Sequence, residues 1–219
     1  MGFIINSYLP YAIEPTEFID DYSSDSGWTL GNYMSITGGQ FVYTNAQHTN
    51  SISTKGMGLT LSDTLWYADW DFDQTADNFT DNHGMMIHNI QSTTGDPNTN
   101  GSAMNRCSVS LVQNYSNYRA AISSKTGTTT NNEPAVTTDL ANGTRFYYRS
   151  LRDSATQQTM ECYTNSGRTS AKFTASVQTD LSSSVTGLDT YCHATGASAT
   201  TEWISGTFNN IAVYSGVTP

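Results

Sequence analysis

The sequence has few basic residues: 9 Lys and Arg stand against 19 Asp and Glu among 219 residues, a formal net charge of −10. Proteins bind nucleic acid mainly through Lys and Arg at the phosphates, so we expect no nucleic-acid partner. The sequence also lacks any run near the roughly 20 apolar residues of a membrane-spanning helix, and we expect no membrane insertion.

Cysteine is scarce as well. Cys107, Cys162 and Cys192 are odd in number and show no C-x-x-C spacing, which argues against a disulfide framework. The four histidines are scattered without a zinc-binding pattern. The first residues lack the basic start, long apolar run and cleavage site of a signal peptide, so we expect no signal peptide.

Aliphatic residues are also few, because Leu, Ile, Val and Phe number 37, about 17% of the chain. With this net charge, such a count is typical of disordered chains. However, the 4 Trp, 13 Tyr and 8 Phe residues can each bury a large apolar area. Ser, Thr and Asn make up about 35% of the chain, which favours strands and turns over helices. The composition therefore predicts an acidic all-β domain with an aromatic core.

Strand-like runs recur along the chain, separated by Gly, Asn, Asp and Ser-Thr clusters. The glycine pair Gly38-Gly39 predicts a hairpin turn. Many short strands within one domain predict a two-sheet antiparallel β-sandwich of the jelly-roll kind. The strands are predicted near Glu17–Tyr22, Tyr33–Thr37, Gln40–Thr44, Thr49–Thr54, Leu65–Asp73, Gly84–Gln91, Arg106–Gln113, Tyr118–Ser123, Thr144–Arg152, Thr159–Thr164, Ala171–Ala175, Leu188–His193 and Thr207–Ser215.

The remaining segments are predicted to be loops, a turn and an arm. Ser92–Gly101 and Lys125–Thr138 are predicted polar loops, and Asp180–Val185 a single helical turn. Residues 1–16 are predicted to form a short, apolar N-terminal arm ahead of the domain at residues 17–219. The arm packs on its own domain in one interpretation and docks on a neighbouring subunit in the other.

The segment from Leu65 to Asp73 (LWYADWDFD) carries the strongest pattern in the sequence. Side chains alternate across a strand, which places Trp66, Ala68, Trp70 and Phe72 on one face and Tyr67, Asp69, Asp71 and Asp73 on the other. The first set is too apolar to leave in water and predicts a core stripe. The second set predicts an acidic outer face.

Several segments together resemble concanavalin A-like lectin and glucanase domains, including laminin-G-like ones. The segment from Phe18 to Trp28 (FIDDYSSDSGW) is similar to their opening motif, and the hairpin from Ile36 to Tyr43 follows as it does there. The segment from Gly206 to Gly216 (GTFNNIAVYSG) is similar to their final strand, with Asn209 and Asn210 in place of an acidic pair. The resemblance implies a lectin-like jelly roll, a layout also found in virion proteins of phages and other viruses.

The alternating aspartates resemble the E-x-D-x-E catalytic strand of the glucanase branch. By this resemblance Asp69 would be the nucleophile, Asp71 the central orienting residue and Asp73 the acid/base, each end having Asp in place of Glu. A second hypothesis is a divalent cation, Ca²⁺, bound among Asp69, Asp71, Asp73, Asp77 and Asp81. The third interpretation, which we favour, is a solvated acidic strand face without a metal or catalysis.

Glycan binding is the other activity that the resemblance implies. Lectins stack exposed aromatic rings on sugars and bind hydroxyl groups through polar side chains. We therefore name Tyr67, Tyr115, Tyr118, Tyr147 and Arg149 as candidate glycan-binding residues. For each tyrosine, the alternative is a ring packed in the sandwich with its hydroxyl at the rim.

Charge is divided unevenly between the two halves of the sequence. Residues 1–105 carry 12 acidic residues and one basic residue, and residues 106–219 carry seven acidic and eight basic ones. The asymmetry could serve contacts between subunits of complementary charge. In the other interpretation, strands from both halves lie side by side in one sandwich and their charges pair there.

Three classes of function follow from the sequence. The first is a structural or accessory virion protein (decoration, fibre or tail component), a homo-oligomer located in the virion or outside the cell, in contact with other virion subunits and with cell-surface glycans. The second is a non-catalytic, lectin-like carbohydrate-binding module. The third is a glycoside hydrolase, which depends on the aspartate strand alone. We favour the first class and expect no enzyme activity.

Overall fold

A computed structural model describes residues 16–47, 51–78, 83–93, 103–114, 117–132, 136–137, 140–194 and 202–219. These residues form 17 strands in two antiparallel sheets and no helix, so none of them belongs to a helix that could cross a membrane. The strands are β1 (Thr16–Asp20), β2 (Trp28–Thr29), β3 (Met34–Thr37), β4 (Gln40–Gln47), β5 (Ile52–Gly56), β6 (Trp66–Asp77), β7 (His83–Gln91), β8 (Arg106–Asn114), β9 (Asn117–Thr126), β10 (Thr129–Asn132), β11 (Val136–Thr137), β12 (Arg145–Ser154), β13 (Gln157–Tyr163), β14 (Ala171–Gln178), β15 (Thr190–Ala194), β16 (Trp203–Phe208) and β17 (Ile211–Ser215).

The two sheets form the sandwich that the sequence predicts. The nine-stranded sheet has the order β14-β13-β12-β6-β16-β4-β3, with β17 also beside β6 and β1 beside β17. The eight-stranded sheet has the order β10-β9-β8-β7-β15-β5-β2, with β11 beside β9. The fold class is therefore confirmed as an all-β jelly roll.

The predicted final strand is longer than expected and interrupted. It begins at Trp203, and β16 and β17 both run antiparallel to β6. Thr207 lies opposite Asp73 and Ile211 opposite Trp70, so four steps along this strand match three along β6. One extra residue therefore bulges at Asn209-Asn210.

The core stripe of β6 is confirmed. Trp66, Ala68, Trp70 and Phe72 are each at most 2% exposed and face the eight-stranded sheet. The Trp70 ring stacks on His88 at 4.6 Å and on Tyr148 at 4.1 Å between centroids. Aromatic rings thus supply much of the core that the few aliphatic residues could not.

The opening motif holds the N-terminal end of the domain to the sandwich. Asp20 is buried, and its carboxylate accepts hydrogen bonds from Trp28 Nε1 at 2.8 Å, Lys55 Nζ at 2.7 Å and the Tyr22 backbone N–H at 2.8 Å. One carboxylate therefore fixes the turn after β1, the indole that begins β2 and a side chain of β5.

One smaller prediction, the hairpin turn, is confirmed. The hairpin at Gly38-Gly39 joins β3 to β4, and both glycines have positive φ, 60° and 72°, which residues with a Cβ rarely adopt. The thiols of Cys107, Cys162 and Cys192 are buried and form no disulfide.

Other boundaries differ from the expectations. The predicted loop Lys125–Thr138 is wrong in part, because β9 continues to Thr126 and two short strands, β10 and β11, pair with β9. These strands lie at the edge of the sheet, where a strand can consist of polar residues such as Thr and Asn. Asp180–Val185 is not helical but holds a turn, in which the Val185 N–H donates to Ser182 O at 3.0 Å. Residues 1–15 of the predicted arm and 94–101 of the other loop lie outside the described residues, and Thr16 already belongs to β1.

Candidate functional site

The outward side of the nine-stranded sheet carries a set of charged and aromatic side chains. They alternate with core residues along β6, β12, β13 and β17, and one more comes from the loop between β13 and β14. We call this set the Arg–Asp face and define it as Tyr67, Asp69, Asp71, Asp73, Arg145, Tyr147, Arg149, Glu161, Tyr163, Arg168 and Tyr214.

Register places acidic and basic residues opposite each other on β6 and β12. Asp69 pairs with Arg149 and Asp73 with Arg145 across the two strands. Arg149 binds Asp69 through two hydrogen bonds, Nε to Oδ1 at 2.7 Å and Nη2 to Oδ2 at 2.9 Å. This two-point geometry is the strong form of an arginine–carboxylate pair, and the hydrogen bonds to Asp69 raise the pKa of Arg149.

Asp71 lies at the centre of the face, yet only 2% of it is exposed. Its Oδ1 accepts hydrogen bonds from Arg145 Nη1 and, at 3.0 Å, from the Asn209 backbone N–H in the bulge. Burial raises the pKa of Asp71, and the bonds from Asn209 and Arg145 oppose this shift. The favoured interpretation of a solvated acidic face is thus wrong for Asp71, because Arg145 covers it.

Arg145 ties three strands together. Its Nη2 donates to Thr207 Oγ1 at 2.7 Å and its Nη1 to Thr207 O at 3.2 Å, in addition to the bond to Asp71. Asp73 Oδ2 lies 3.9 Å from Arg145 Nη2. The side chain of Asp73 is 25% exposed, a larger fraction than that of Asp69 or Asp71.

Arg168 reaches the face from the loop after β13. Its backbone has φ 51°, a left-handed conformation that is unusual for a residue with a side chain. The Asn165 side chain holds this loop by accepting hydrogen bonds from the Thr169 and Ser170 N–H groups, each at 3.1 Å. The Arg168 guanidinium then lies 3.3 Å from Asp69 Oδ1 and donates to the carbonyl oxygens of Tyr148 and Trp70.

Tyrosine rings flank the charged pairs. Tyr67 stacks on Tyr214 at 4.7 Å between centroids, and the Arg149 guanidinium lies 5.3 Å from the Tyr67 ring centre. Tyr147 lies between Arg145 and Arg149 on the same side of β12, as the alternation predicts. The Tyr163 hydroxyl donates to Glu161, and burial with this bond raises the pKa of Tyr163 to about 12.

Three of the five candidate glycan-binding residues come together here: Tyr67, Tyr147 and Arg149. Tyr118 lies on β9 in the other sheet, and Tyr115 lies outside the described residues. The face also contains residues that we did not name as candidates, namely Arg145, Glu161, Tyr163, Arg168 and Tyr214. Alternation along β12, β13 and β17 could have indicated all of these except Arg168.

Among the described residues, no group of three or more His, Cys, Asp or Glu side chains lies close enough together to hold a metal ion. Asp81 lies outside the described residues. Ca²⁺ at this strand stays a prediction; in the structure, the cations that Asp69, Asp71 and Asp73 meet are arginines.

The arginine pairs also bear on the catalytic hypothesis. Asp69, at the position of a nucleophile, contacts Arg149 and Arg168, and Asp71 is buried under Arg145. A retaining glycosidase needs one carboxylate free to attack the sugar. Both carboxylates are instead held in ion pairs within the sheet.

On this face, acidic residues from the first half of the chain pair with basic residues from the second half. Asp69 and Asp71 come from the acidic first half, and Arg145, Arg149 and Arg168 come from the second. For these residues the interpretation that the halves interleave and pair inside one sandwich is confirmed.

No protein-family model matches the sequence. No curated protein sequence matches it either.

Solved structures do match the fold. A CBM2 module of the evolved Dit protein of Lactobacillus casei BL23 phage J-1 has a TM-score of 0.62 at 10% identity, covering 94% of this chain and 100% of that one. A peanut lectin solved with a nine-residue peptide has a TM-score of 0.64 at 11% identity, with 94% and 100% covered. A xylan β-1,4-xylosidase from Bacillus halodurans has a TM-score of 0.56 at 11% identity, covering 90% of this chain and 38% of that one.

At such low identity these matches show the fold alone. The peanut lectin and the CBM2 module are each matched over their whole length, whereas the xylosidase is matched over a minor part of its length. The chain therefore has the lectin-like, concanavalin A-like jelly-roll fold.

Proposed function

We propose that this chain is a carbohydrate-binding domain and that the Arg–Asp face is its saccharide site. The observation that carries the proposal is the placement of Tyr67, Tyr147 and Tyr214 beside the Arg149–Asp69 pair on one outward sheet face. Proteins bind saccharides by stacking aromatic rings on the sugar and by placing hydrogen-bond donors and acceptors beside its hydroxyl groups.

The rigidity of the face supports this role. The Arg149 side chain is fixed by two hydrogen bonds to Asp69, and Arg168 is fixed by its loop and by two backbone carbonyls. Side chains that are already ordered lose little entropy when a ligand binds. We propose binding without cleavage, because Asp69 and Asp71 are engaged by arginines.

A glycan array followed by calorimetry on its hits tests this function. We expect saturable binding to a subset of glycans, and Tyr147→Ala and Arg149→Ala should each weaken it by about tenfold or more. Tyr33→Ala is the matched control, since Tyr33 is 49% exposed and lies before β3, three strands away from β6. An array without hits contradicts the function, and equal affinity of all three variants contradicts the site.

A second proposal concerns the biological setting: the chain is a structural or accessory component of a virion, where it contacts host glycans. The likeness to a phage carbohydrate-binding module over that module's whole length favours it. We expect a homo-oligomer in solution, which light scattering on the full chain and on a variant lacking residues 1–13 would measure. This setting would be contradicted if the full chain and the shortened variant were both monomeric and mass spectrometry did not detect the protein in purified virus particles.

A further inference from the structure

We infer that the Arg–Asp face selects saccharides without negative charge and rejects carboxylated or sulfated ones. The inference rests on the proposed function, since it takes the face to be the saccharide site. It adds the ligand class, which neither the fold nor the matched structures specify.

The first argument is that each guanidinium on the face already binds a protein carboxylate. Arg149 is held by Asp69 through two hydrogen bonds, Arg145 by Asp71, and Arg168 lies 3.3 Å from Asp69 while also donating to two carbonyls. An anionic sugar would compete with that carboxylate for the guanidinium, and a full ion pair with the sugar would displace the protein carboxylate. A buried or half-buried carboxylate left without its partner is costly.

The second argument is the charge that an approaching anion meets. The face holds four carboxylates (Asp69, Asp71, Asp73 and Glu161) and three guanidiniums, a net charge of −1, and the whole chain carries −10. Both the local and the long-range potential therefore oppose a polyanion. Basic patches, by which proteins hold acidic polymers, do not occur among the residues of this face.

Neutral hydroxyl groups meet neither obstacle. The two hydrogen bonds from Arg149 to Asp69 use Nε and Nη2, so its Nη1 can donate to a hydroxyl oxygen while the pair stays intact. Asp73, 25% exposed, can accept from a hydroxyl group. The rings of Tyr147 and Tyr214 are half-buried and can contact the apolar side of a sugar ring.

The test uses a glycan array printed in pairs, each pair being one glycan with and without a sulfate or carboxylate group. We expect the wild-type protein to bind the charged member at least about tenfold more weakly than its neutral counterpart. Affinity for the neutral member should not change with NaCl concentration, since no ion pair forms with the ligand.

Asp69→Asn provides a gain-of-function arm, because it releases Arg149 and Arg168 together. We expect this variant to gain affinity for the charged members and for dextran sulfate, with a strong dependence on salt. Asp25→Asn removes the same charge from an exposed residue outside the face. This control should change neither the affinity for charged ligands nor its dependence on salt. Glu161→Gln, which lowers the acidity of the face without breaking an arginine pair, covers the case that Asp69→Asn does not fold.

The outcomes separate this inference from the function beneath it. Wild-type binding of charged members as tight as that of neutral ones overturns the inference and leaves the saccharide site in place. The absence of any gain in folded Asp69→Asn and Glu161→Gln also overturns it. An array without hits overturns the proposed function, and the inference falls with it.

Discussion

His88 should make the fold sensitive to acid, and the structure allows the size of the effect to be worked out. The side chain is 1% exposed, it stacks on Trp70, and its Nδ1 lies 3.0 Å from the Tyr191 hydroxyl. Burial, and secondarily the neighbouring His193, lowers the pKa of His88 well below its ordinary value of 6.5. In the unfolded chain the same imidazole titrates normally.

The sign of the effect follows from proton linkage. Below pH 6.5 the unfolded chain binds a proton at His88 and the folded protein does not, so acid favours unfolding. This stabilising contribution is complete above pH 6.5 and is lost as the pH falls toward the folded-state pKa. The slope is at most about 1.4 kcal/mol per pH unit, which amounts to about 2 kcal/mol between pH 7.5 and pH 5 if His88 stays neutral in the folded state.

Urea denaturation of the wild type and of His88→Gln at the two pH values measures the contribution. The variant removes the titrating group, so its free energy of unfolding should fall between pH 7.5 and pH 5 by about 2 kcal/mol less than that of the wild type. Groups that do not interact with His88 contribute equally in the two proteins and cancel in the comparison. The ring protons of His88 should also keep constant NMR shifts over this pH range.

Equal pH dependence in the two proteins would refute the reasoning. So would an NMR titration of His88 in the folded protein with a midpoint near pH 6.5, because it would show that the imidazole exchanges protons with water.

Three further changes test other parts of the structure. Asp71→Ala should lower the free energy of unfolding in urea by about 3–5 kcal/mol, because it removes the buried carboxylate that Arg145 Nη1 binds. Asp25→Ala on the exposed surface should change it by no more than about 0.5 kcal/mol, and near-equal losses would show that the central pair adds nothing. Gly206→Ala should lower the melting temperature strongly, since a Cβ there would lie 2.5 Å from Asp73 O and from the Phe72 ring. A Cβ at Gly56 would point into open space, so Gly56→Ala should leave the melting temperature nearly unchanged. An unchanged melting temperature in Gly206→Ala would mean that β16 can move away from β6. Ser108→Ala should leave stability unchanged or raise it by about 1 kcal/mol, because the buried Ser108 hydroxyl has no hydrogen-bond partner among the described residues, and a clear loss would show that it has one.

The sequence predicts the β-sandwich and the inner side of β6 well, for a physical reason. Strand alternation has a period of two, and Trp66, Trp70 and Phe72 are too apolar to lie anywhere but inside. The same alternation places Tyr147 and Arg149 on one side of β12. Such arguments are local, and local arguments suffice for the side on which a residue lies.

The partners of those residues could not be predicted in the same way. Arg149 lies opposite Asp69 because their strands pair, although the two residues are 80 positions apart in the sequence. Nothing near Asp71 in the sequence indicates that Arg145 buries it. Arg168 is a stronger case, because a left-handed residue in a loop directs its guanidinium back over the sheet. Tertiary pairing and loop direction are therefore what the sequence alone left open.

The bulged pairing of β16 and β17 with β6 also constrains how the protein can fold. Ile211 lies opposite Trp70, 141 positions later in the chain, so one edge of the central strand has no permanent neighbour until that late segment has left the ribosome. Contacts between such distant segments slow folding, since a long loop must close before they form. An unpaired strand edge also invites pairing with other chains. Nascent chains that stop before Trp203 should therefore be the species most prone to aggregate.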